Sequence, residues 1–400
     1  MKSNWDYIKL GDATKFTSGG TPSKKKDEYW NGKIPWISAK TMKRERVHTS
    51  DSFITEEGLA AGSKLAPKGS ILLLTRGSGL FNGIPIRMVE SPVAFNQDVK
   101  CITSTCELEN EFIFYWLISI TKYLSAKVGT TGIGAGKFDT KFLENLNVPF
   151  PPADERRKII KIGKQFTDKL FLNEAIIELL EKQIRDIYAY YFVENRQDDW
   201  PVIPLSDIFY FQEGPGIRNW QYVTENGTRF INIRCINNGD IDVKAANMIS
   251  DEEANGKYAH FMLKPNDIVM SCSGTLGRYA IVREEHLPLC LNTSVIRFSP
   301  LQQKEDLAYL YGYLSSPEFL NRQAELACGS VQANFGPTHL KQMTLRQPPK
   351  EIRREFSDRT LPLINQTIQL RKENELLREM RNNLLPELFD GEIECASLAI

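Results

Sequence analysis

Cysteine and histidine are scarce in this sequence. The 400 residues include seven cysteines and four histidines, and no two cysteines form a C-x-x-C motif. This scarcity argues against a disulfide-stapled scaffold and against a zinc site of clustered Cys and His. It favours a reducing, cytoplasmic setting.

Long apolar runs and net charge are also missing. No stretch approaches the roughly 18 apolar residues of a membrane-spanning helix, and residues 1–6 lack the apolar region of a signal peptide. Lys and Arg together number 50, as do Asp and Glu, so the surface as a whole is not that of a polyanion-binding protein. We therefore expect no membrane association, and any nucleic-acid site must be a local patch.

Catalytic and cofactor motifs are absent as well. The glycine-rich segment at residues 129–136 departs from a phosphate-binding loop at Thr131 and Phe138. No G-x-S-x-G nucleophile turn occurs. Scattered carboxylates could still converge in space, but the sequence predicts no catalytic residue, no metal ligand and no cofactor bound by this chain.

What the sequence does contain is an internal repeat. Its composition, 42% hydrophobic and 25% charged, is that of an ordinary globular protein, and its length predicts two or three domains. Trp5 and Trp200 each stand five residues before a Leu-x-Asp sequence. Later matches keep nearly the same offset and include Thr75-Arg76-Gly77 with Cys272-Ser273-Gly274, Asn96-Gln97-Asp98-Val99 with Asn292-Thr293-Ser294-Val295, Phe138 with Phe335, and Pro151-Pro152 with Pro348-Pro349. A near-constant offset over almost the whole chain indicates a duplication.

Each half ends in a stretch that predicts a long helix. The first, residues 154–192, repeats apolar residues every seven positions at Ile159, Phe166, Leu180 and Ile187, with Ile162 and Ile176 at a companion position. The second repeats them at Phe356, Leu363, Leu370, Leu377 and Leu384, and Pro362 predicts a kink near its start. These heptads favour an antiparallel coiled coil between the two helices. The alternative, in which each helix packs only on its own domain, stays open.

The globular halves combine strand and helix patterns without regular alternation. Residues 33–38, 69–75 and 93–103 predict strands, and residues 111–124 and 307–326 predict helices. We expect an α+β fold with two mixed α/β domains and not a doubly wound parallel sheet. The predicted order is a globular domain at 1–153, a long helix at 154–195, a second globular domain at 196–349, and a second long helix with a tail at 350–400.

Positive charge is concentrated in the first half. Residues 1–106 hold 16 Lys and Arg against 10 Asp and Glu, whereas residues 200–300 hold 9 against 11. Basic loops rich in Gly and Ser suit phosphate contact, and Arg, Asn and Gln can pair with base edges. Against the alternative of solvated loops, we predict a set of DNA-contacting residues: Thr21, Ser23, Lys24, Lys25, Lys26, Lys40, Lys43, Arg44, Arg46, Arg76, Ser78, Lys137, Arg218, Asn219, Gln221, Arg234, Asn237, Ser273 and Arg278.

In their order, duplication and spacing, these features resemble the specificity subunit of type I restriction-modification systems. The resemblance spans essentially the full length. It rests on the openings at Trp5 and Trp200, the turns Arg76-Gly77-Ser78-Gly79 and Ser273-Gly274-Thr275-Leu276-Gly277, the Pro-Pro exits into Arg156-Arg157 and Arg353-Arg354, and the two repeated helices.

The resemblance implies a function for each part. Each globular half would be a target-recognition domain reading one half of an asymmetric, split target in double-stranded DNA. The coiled coil would hold the domains apart and dock two methyltransferase subunits, with restriction subunits binding outside. S-adenosylmethionine, ATP and Mg²⁺ would then bind those partners and not this chain.

Two other functions remain as alternatives. A self-contained restriction or methylation enzyme with its own recognition domains would bind S-adenosylmethionine or cleave DNA with a metal, and the missing cofactor motifs argue against it. A scaffold that binds only proteins would tolerate Lys24→Glu with Lys25→Glu without loss of function.

Overall fold

The computed structural model describes residues 5–42, 44–132, 134–301, 306–327 and 334–393, and it divides into two compact units. The first unit comprises Met1–Asn173 with Glu373–Ile400, and the second comprises Glu174–Lys372. Each unit therefore contains one globular half and a segment of each long helix.

The first unit is built on two main sheets. Its strands are β1 (Asp6–Lys9), β2 (Thr14–Ser18), β3 (Trp30–Ile37), β4 (Arg46–Val47), β5 (Phe53–Ile54), β6 (Lys64–Ala66), β7 (Ile71–Leu74), β8 (Arg76–Gly77), β9 (Ile86–Val89), β10 (Val93–Phe95), β11 (Val99–Ser104), β12 (Gly129–Thr130), β13 (Gly136–Lys137) and β14 (Asn147–Phe150). The sheets have the orders β2-β11-β7-β9-β4 and β5-β3-β10-β6, with smaller sheets β12-β13-β8 and β1-β14.

Five short helices and one long helix accompany these sheets. They are α1 (Leu10–Ala13), α2 (Glu56–Gly62), α3 (Asn110–Ser119), α4 (Thr121–Ala126), α5 (Thr140–Glu144) and α6 (Ala153–Ala189). The central strand β7 is apolar throughout and fully buried, as is typical of a strand covered on both faces.

The second unit repeats this plan. Its strands are β15 (Val202–Pro204), β16 (Phe209–Glu213), β17 (Tyr222–Val223), β18 (Gly227–Ile231), β19 (Ile236–Asn237), β20 (Asp240–Ile241), β21 (Asn247–Ser250), β22 (Ile268–Ser271), β23 (Tyr279–Ile281), β24 (Leu289–Leu291), β25 (Val295–Pro300) and β26 (Thr344–Arg346). Its helices are α7 (Asp251–Asn255), α8 (Asp306–Ser315), α9 (Pro317–Ala327), α10 (Pro337–Leu340) and α11 (Lys350–Phe389).

Equivalent strands occupy equivalent places in the two units. The order β16-β25-β22-β23 repeats β2-β11-β7-β9. The second sheet of each unit contains one parallel pair, β3 with β10 and β18 with β24. The expected α+β fold is confirmed, and the duplication has a structural counterpart.

Three predicted elements are divided in the structure. Residues 93–103 form both β10 and β11, which belong to different sheets. Asn96 turns the chain between them, because its side chain accepts a hydrogen bond from the Asp98 backbone N–H at 3.1 Å. The two predicted globular helices are likewise split, into α3 with α4 and α8 with α9. In the second case Ser316 interrupts the helix, and its hydroxyl caps α9.

The long helix α6 buries a stripe of residues three or four positions apart, as helix packing along one face requires. The buried members are Ile159, Gly163, Thr167, Leu170, Asn173, Ile177, Leu180, Ile184 and Tyr188. Phe166 and Ile187 are half-buried beside this stripe. The structure differs from the predicted companion position, since Ile176 is 38% exposed and Ile162 is buried in the globular core instead.

The buried stripe of α11 is more polar than predicted. Its members are Phe356, Thr360, Ile364, Thr367, Arg371, Asn374, Arg381, Leu385 and Leu388. The predicted leucines lie at the edge of this stripe and are only half-buried: Leu363, Leu370, Leu377 and Leu384. Polar side chains with partners occupy the centre of the buried face of α11. The apolar heptad pattern therefore identifies only the edge of that face. The helix continues past Pro362 without interruption.

Within the second unit, α6 and α11 contact each other along segments of opposite direction. Glu181 of α6 pairs with Arg371. Tyr191, in the π-helical turn that follows α6, donates a hydrogen bond from its hydroxyl to Glu355 at 2.6 Å. Residue numbers rise along α6 as they fall along α11, so these segments are antiparallel. Of the helices in the described residues, none is long and apolar enough to cross a membrane.

Candidate nucleic-acid interface

The loop between β2 and β3 presents three consecutive lysines on a tightly held backbone. A Cβ atom at Gly20 would lie 1.8 Å from the Gly62 carbonyl oxygen, so only glycine fits there. The indole N–H of Trp36 donates to the Gly20 oxygen at 3.1 Å. The indole N–H of Trp30 donates to the Ser23 oxygen at the same distance. The lysines therefore project from a fixed loop.

Two of these lysines are exposed and have no ion-pair partner among the described residues. They are Lys24 and Lys25. Lys26 instead donates to the Tyr29 hydroxyl at 3.1 Å and lies 3.6 Å from Glu28. The Tyr29 hydrogen bond and these neighbouring charges raise the pKa of Lys26. Lys24 and Lys25 are thus the cations of this loop that an anion could pair with.

The basic residues after β3 have different environments. Lys40 is exposed and Arg44 is half-buried. Arg46 pairs with Asp168 of α6, and its side chain is only 18% exposed. It therefore ties the globular part of the first unit to α6. Lys43 lies outside the described residues.

Three segments at strand ends meet in the first unit. The backbone N–H groups of Thr75 and Arg76 both donate to the Asp98 carbonyl oxygen, at 2.8 and 3.2 Å. The Phe138 N–H donates to the Thr75 oxygen at 2.9 Å. We call these three segments the first strand-end frame, which comprises residues 75–76, 97–98 and 137–138.

The first strand-end frame carries an exposed cationic pair. Arg76 and Lys137 are direct partners in the antiparallel pairing of β8 with β13, and both are exposed. Neither has an ion-pair partner within the described parts of the chain. Beside them the Thr21 hydroxyl donates to the exposed Gln97 amide oxygen at 2.7 Å. Ser78 is exposed two residues after Arg76. The structure thus gathers Thr21, Arg76, Ser78 and Lys137 around one frame.

The second unit repeats the frame with two of the three backbone hydrogen bonds. The Cys272 N–H donates to the Ser294 oxygen at 3.0 Å, and the Phe335 N–H donates to the Cys272 oxygen at 2.8 Å. Ser273 and Asn334 form an antiparallel bridge, at the positions equivalent to Arg76 and Lys137. The second strand-end frame comprises residues 272–273, 293–294 and 334–335.

The side chains of the second frame are neutral, and the neighbouring Glu213 is acidic. Asn334 is exposed and Ser273 is half-buried. The Thr293 hydroxyl donates to a Glu213 carboxylate oxygen at 3.2 Å, where the first frame has the Thr21 and Gln97 pair. The two frames therefore share a backbone and differ in charge.

The loop before β17 exposes an arginine, an amide and an indole. Arg218 and Asn219 are exposed, and Trp220 is 80% exposed. Gln221 is buried: its side-chain oxygen accepts from the Arg218 backbone N–H at 2.9 Å, and its amide donates to the Tyr258 hydroxyl at 3.1 Å. Gln221 therefore fixes the loop, and its three predecessors face solvent.

The remaining predicted residues of the second unit form a small cluster. The Asn237 amide nitrogen donates to the Arg234 carbonyl oxygen at 2.7 Å. The Asn237 oxygen accepts from Arg278 at 3.3 Å. Both arginines are exposed, whereas the Asn237 amide is already engaged at both ends.

The exposed side chains of these frames and loops can donate and accept hydrogen bonds and carry positive charge. The buried cysteines do not supply a nucleophile. Burial, with the Glu213 carboxylate adding to it, raises the pKa of the Cys272 thiol to about 12. Burial likewise raises the pKa of Cys290 to about 12, so neither thiol is ionised at neutral pH. In the described residues no group of three or more His, Cys, Asp and Glu side chains could hold a metal ion.

Several polar residues around these frames and loops are not predicted by the sequence. Gln97 and Thr293 lie in a segment whose repetition is visible in the sequence. That repetition is a usable signal, because each copy lies in the short connection between two strands, β10 and β11 or β24 and β25. Asn334 and Glu213 carry no motif of their own and become candidates only when the frame brings them together. Trp220 has no signal beyond its basic neighbourhood.

A family model matches both halves of the chain. It is described as the type I restriction modification DNA specificity domain, and it matches residues 2–182 and again residues 197–378. The double match confirms the internal duplication.

Individual relatives carry the same description. The specificity subunit of the type I restriction enzyme MjaVIII from Methanocaldococcus jannaschii is 24% identical over 416 aligned residues, which cover 100% of this chain and 95% of that protein. The specificity subunit of EcoR124I/EcoR124II from Escherichia coli is 34% identical over 191 residues, 46% of each chain. The crystal structure of a type I restriction-modification S subunit from M. genitalium aligns over 96% of both chains with a TM-score of 0.49 and 17% identity.

Proposed function

Because the chain belongs to the family of type I restriction-modification DNA specificity proteins, we propose that it is the non-catalytic subunit that selects the DNA target of such an enzyme. The observation that carries this proposal is the double occurrence of the family's domain. Each occurrence includes a strand-end frame with exposed polar side chains, the kind of surface that base and phosphate contacts require.

The two globular halves, residues 1–153 and 196–349, act as target-recognition domains. Each reads one half of a bipartite sequence in double-stranded DNA. The first frame is cationic at Arg76 and Lys137 and the second is neutral at Ser273 and Asn334, so the two half-sites differ and the target is asymmetric.

The long helices form an antiparallel coiled coil that spaces the two domains and docks two methyltransferase subunits. The buried stripes of α6 and α11 support the pairing. Exposed apolar side chains on the outside of the helices support the docking, because partner proteins would cover them: Leu172 at 57%, Leu179 at 67%, Leu376 at 52% and Met380 at 58% exposure.

Catalysis then belongs to the partners. S-adenosylmethionine binds the methyltransferase subunits, and ATP and Mg²⁺ serve the restriction subunits bound outside them. Burial keeps the Cys272 and Cys290 thiols protonated at neutral pH, which suits a chain that positions DNA for other subunits.

Sequencing that detects modified bases tests this function directly. The chain is co-expressed with its methyltransferase subunit in a host that lacks methylation of its own. We expect a bipartite methylated motif that requires both chains. A second strain carries a chain whose residues 1–153 come from a relative, and we expect only one half of the motif to change. A motif unchanged by the exchange, or methylation without this chain, would refute the proposal.

A further inference from the structure

We propose that the two strand-end frames are the base-discriminating surfaces, with Arg76 and Lys137 determining specificity in the first half and Ser273 and Asn334 in the second. This inference deepens the proposed function and rests on it. It assigns the selection of each half-site to one pair of side chains, and the two pairs occupy corresponding positions in the two units.

The frames have the architecture that a variable reading surface needs. Two backbone hydrogen bonds recur in both units, and the anchoring rings of Phe138 and Phe335 are 3% and 0% exposed. The outward side chains at the paired positions differ, whereas the buried residues behind them, Thr75 and Cys272, are both small. Because the scaffold does not depend on those side chains, they can change the sequence that is read without changing the fold.

The cationic pair of the first frame is costly in the free protein. Directly opposed residues of an antiparallel pair have Cβ atoms about 4.5–5.5 Å apart, and like charges at such positions destabilise a sheet. Arg76 and Lys137 occupy such positions and are exposed. Hydrogen-bond acceptors of DNA remove this repulsion, and the O6 and N7 atoms of guanine are the base acceptors that Arg and Lys prefer. The first half-site therefore contains guanine at this contact.

The ribbon that carries the pair is thin. The residues next to it, Gly77 and Gly136, are themselves pairing partners and add no side chains. The adjoining strand β12 begins with Gly129. Together β12, β13 and β8 form a three-stranded sheet, and its glycines let the backbone approach DNA closely.

The second frame reads through neutral hydrogen bonds and one carboxylate. Asn334 can pair with the N6 and N7 atoms of adenine, and a carboxylate such as Glu213 accepts from the amino group of cytosine. Thr293 holds that carboxylate in place. The second half-site therefore depends on adenine or cytosine at this contact, and phosphate binding falls to arginines elsewhere on the unit.

The test exchanges the two pairs. One variant carries Arg76→Ser with Lys137→Asn, and the other carries Ser273→Arg with Asn334→Lys. A control, Lys15→Ser with Lys68→Asn, makes the same charge change at exposed positions of the first unit outside the frame. Each chain is purified with its methyltransferase subunit. Its Kd is measured for three duplexes: the methylated motif of the wild type, the same with the first half-site scrambled, and the same with the second half-site scrambled.

We expect the first variant to lose discrimination of the first half-site by about tenfold or more, as the loss of a bidentate base contact predicts, and to keep discrimination of the second. The other variant should lose discrimination of the second half-site and keep discrimination of the first. The control should leave both ratios of Kd, scrambled to unscrambled duplex, at the wild-type values. Equal weakening for all three duplexes would assign the pair to phosphate contact and overturn the inference. So would ratios that stay at the wild-type values. A wild type that discriminates neither half-site would instead refute the proposed function itself.

Discussion

Asn173 of α6 donates a hydrogen bond to the side-chain oxygen of Asn374 of α11, with 2.9 Å between Nδ2 and Oδ1. Both residues are buried within the first unit, at 0% and 3% exposure. The same nitrogen donates to Glu373, also at 2.9 Å. A buried amide pair of this kind fixes the register of two helices, because any slip along the axis leaves both amides without partners.

Replacing one partner alone should therefore be worse than replacing both. We expect Asn173→Leu to destabilise the protein by about 1–3 kcal/mol, since Asn374 keeps a buried acceptor without its donor. Adding Asn374→Leu should recover most of that loss. The measurement is the urea midpoint of unfolding, with Asn365→Leu at an exposed position of α11 as the matched control. If Asn173→Leu is no worse than this control, the amide pair does not hold the register.

Glu45 anchors the first globular half to α11 through Arg381. Its carboxylate accepts from Arg381 Nη2 at 3.0 Å, and the Arg381 side chain is only 5% exposed. We expect Arg381→Met to cost about 3–5 kcal/mol, because it leaves a largely buried carboxylate without its main cation. Arg157→Met, in the exposed pair with Asp154, should cost less than about 1 kcal/mol. Similar losses in the two variants would contradict a structural role for the buried pair.

The same ion pair predicts a dependence of stability on pH. Burial alone would raise the pKa of Glu45, but the Arg381 charge and hydrogen bond hold it below the usual value. A carboxyl with a lowered pKa in the folded state adds stability that is complete above the unfolded pKa, about 4.3. That stability is lost as the pH falls further. The difference in unfolding free energy between wild type and Glu45→Gln should thus shrink below about pH 4.3. A difference in unfolding free energy that stays constant with pH would contradict the lowered pKa of Glu45.

Most of the architecture was accessible from the sequence because it depends on repetition and periodicity. The buried β7 and β22 and the exits into the two long helices recur at nearly constant spacing. The buried face of α11 was not accessible. Its central residues include Arg371 and Arg381, which are buried only because Glu181 and Glu45 neutralise them. No local pattern reveals a partner so distant in the sequence, so the apolar periodicity predicts the leucines at the edge of the face as its centre.

The candidate site was likewise only partly predictable from the sequence. Gly-rich turns and basic residues predict Arg76, Lys137 and Ser273 as contacts, and the structure places these three residues at paired positions of the frames. Whether a given cation is available depends on its partner, which the sequence does not show. Arg46 resembled Lys40 in the sequence, yet it pairs with Asp168 on α6. Gln221 resembled a base reader, yet it is buried and holds its own loop.

Gly163 of α6 lies directly against the ring of Tyr115. A Cβ atom at Gly163 would stand 2.6 Å from that ring, whose hydroxyl is 2.9 Å from the Thr167 hydroxyl. Gly163→Ala would raise helix propensity by about 1 kcal/mol, yet we expect a net loss of stability because the buried ring cannot give way. Gly216→Ala, which meets no atom within 4 Å, is the control for thermal unfolding. A stabilised Gly163→Ala would show that α6 can move away from Tyr115.

The exposed lysines Lys24 and Lys25 should contribute affinity without sequence preference. We expect Lys24→Glu with Lys25→Glu to weaken binding to all duplexes alike. The salt dependence of binding should become shallower by about two in the slope of log K against log salt, since each phosphate contact adds about 0.9. Lys15→Glu with Lys68→Glu changes the net charge equally at other exposed positions. A change confined to one half-site would assign these lysines to base contact instead.

If the helix pair sets the distance between half-sites, its length should appear in the methylated motif. Inserting seven residues after Asn173 in α6 and seven after Lys372 in α11 preserves the spacing of both buried stripes. It lengthens each helix by about 10.5 Å, close to three base pairs at about 3.4 Å each. We expect unchanged half-sites separated by a spacer about three base pairs longer, read by sequencing of modified bases. The same insertion in the exposed connection at residues 195–199 should leave the spacer as it was, because this connection lies outside both helices. A spacer that ignores the helical insertion would show that the distance is set by the methyltransferase partners.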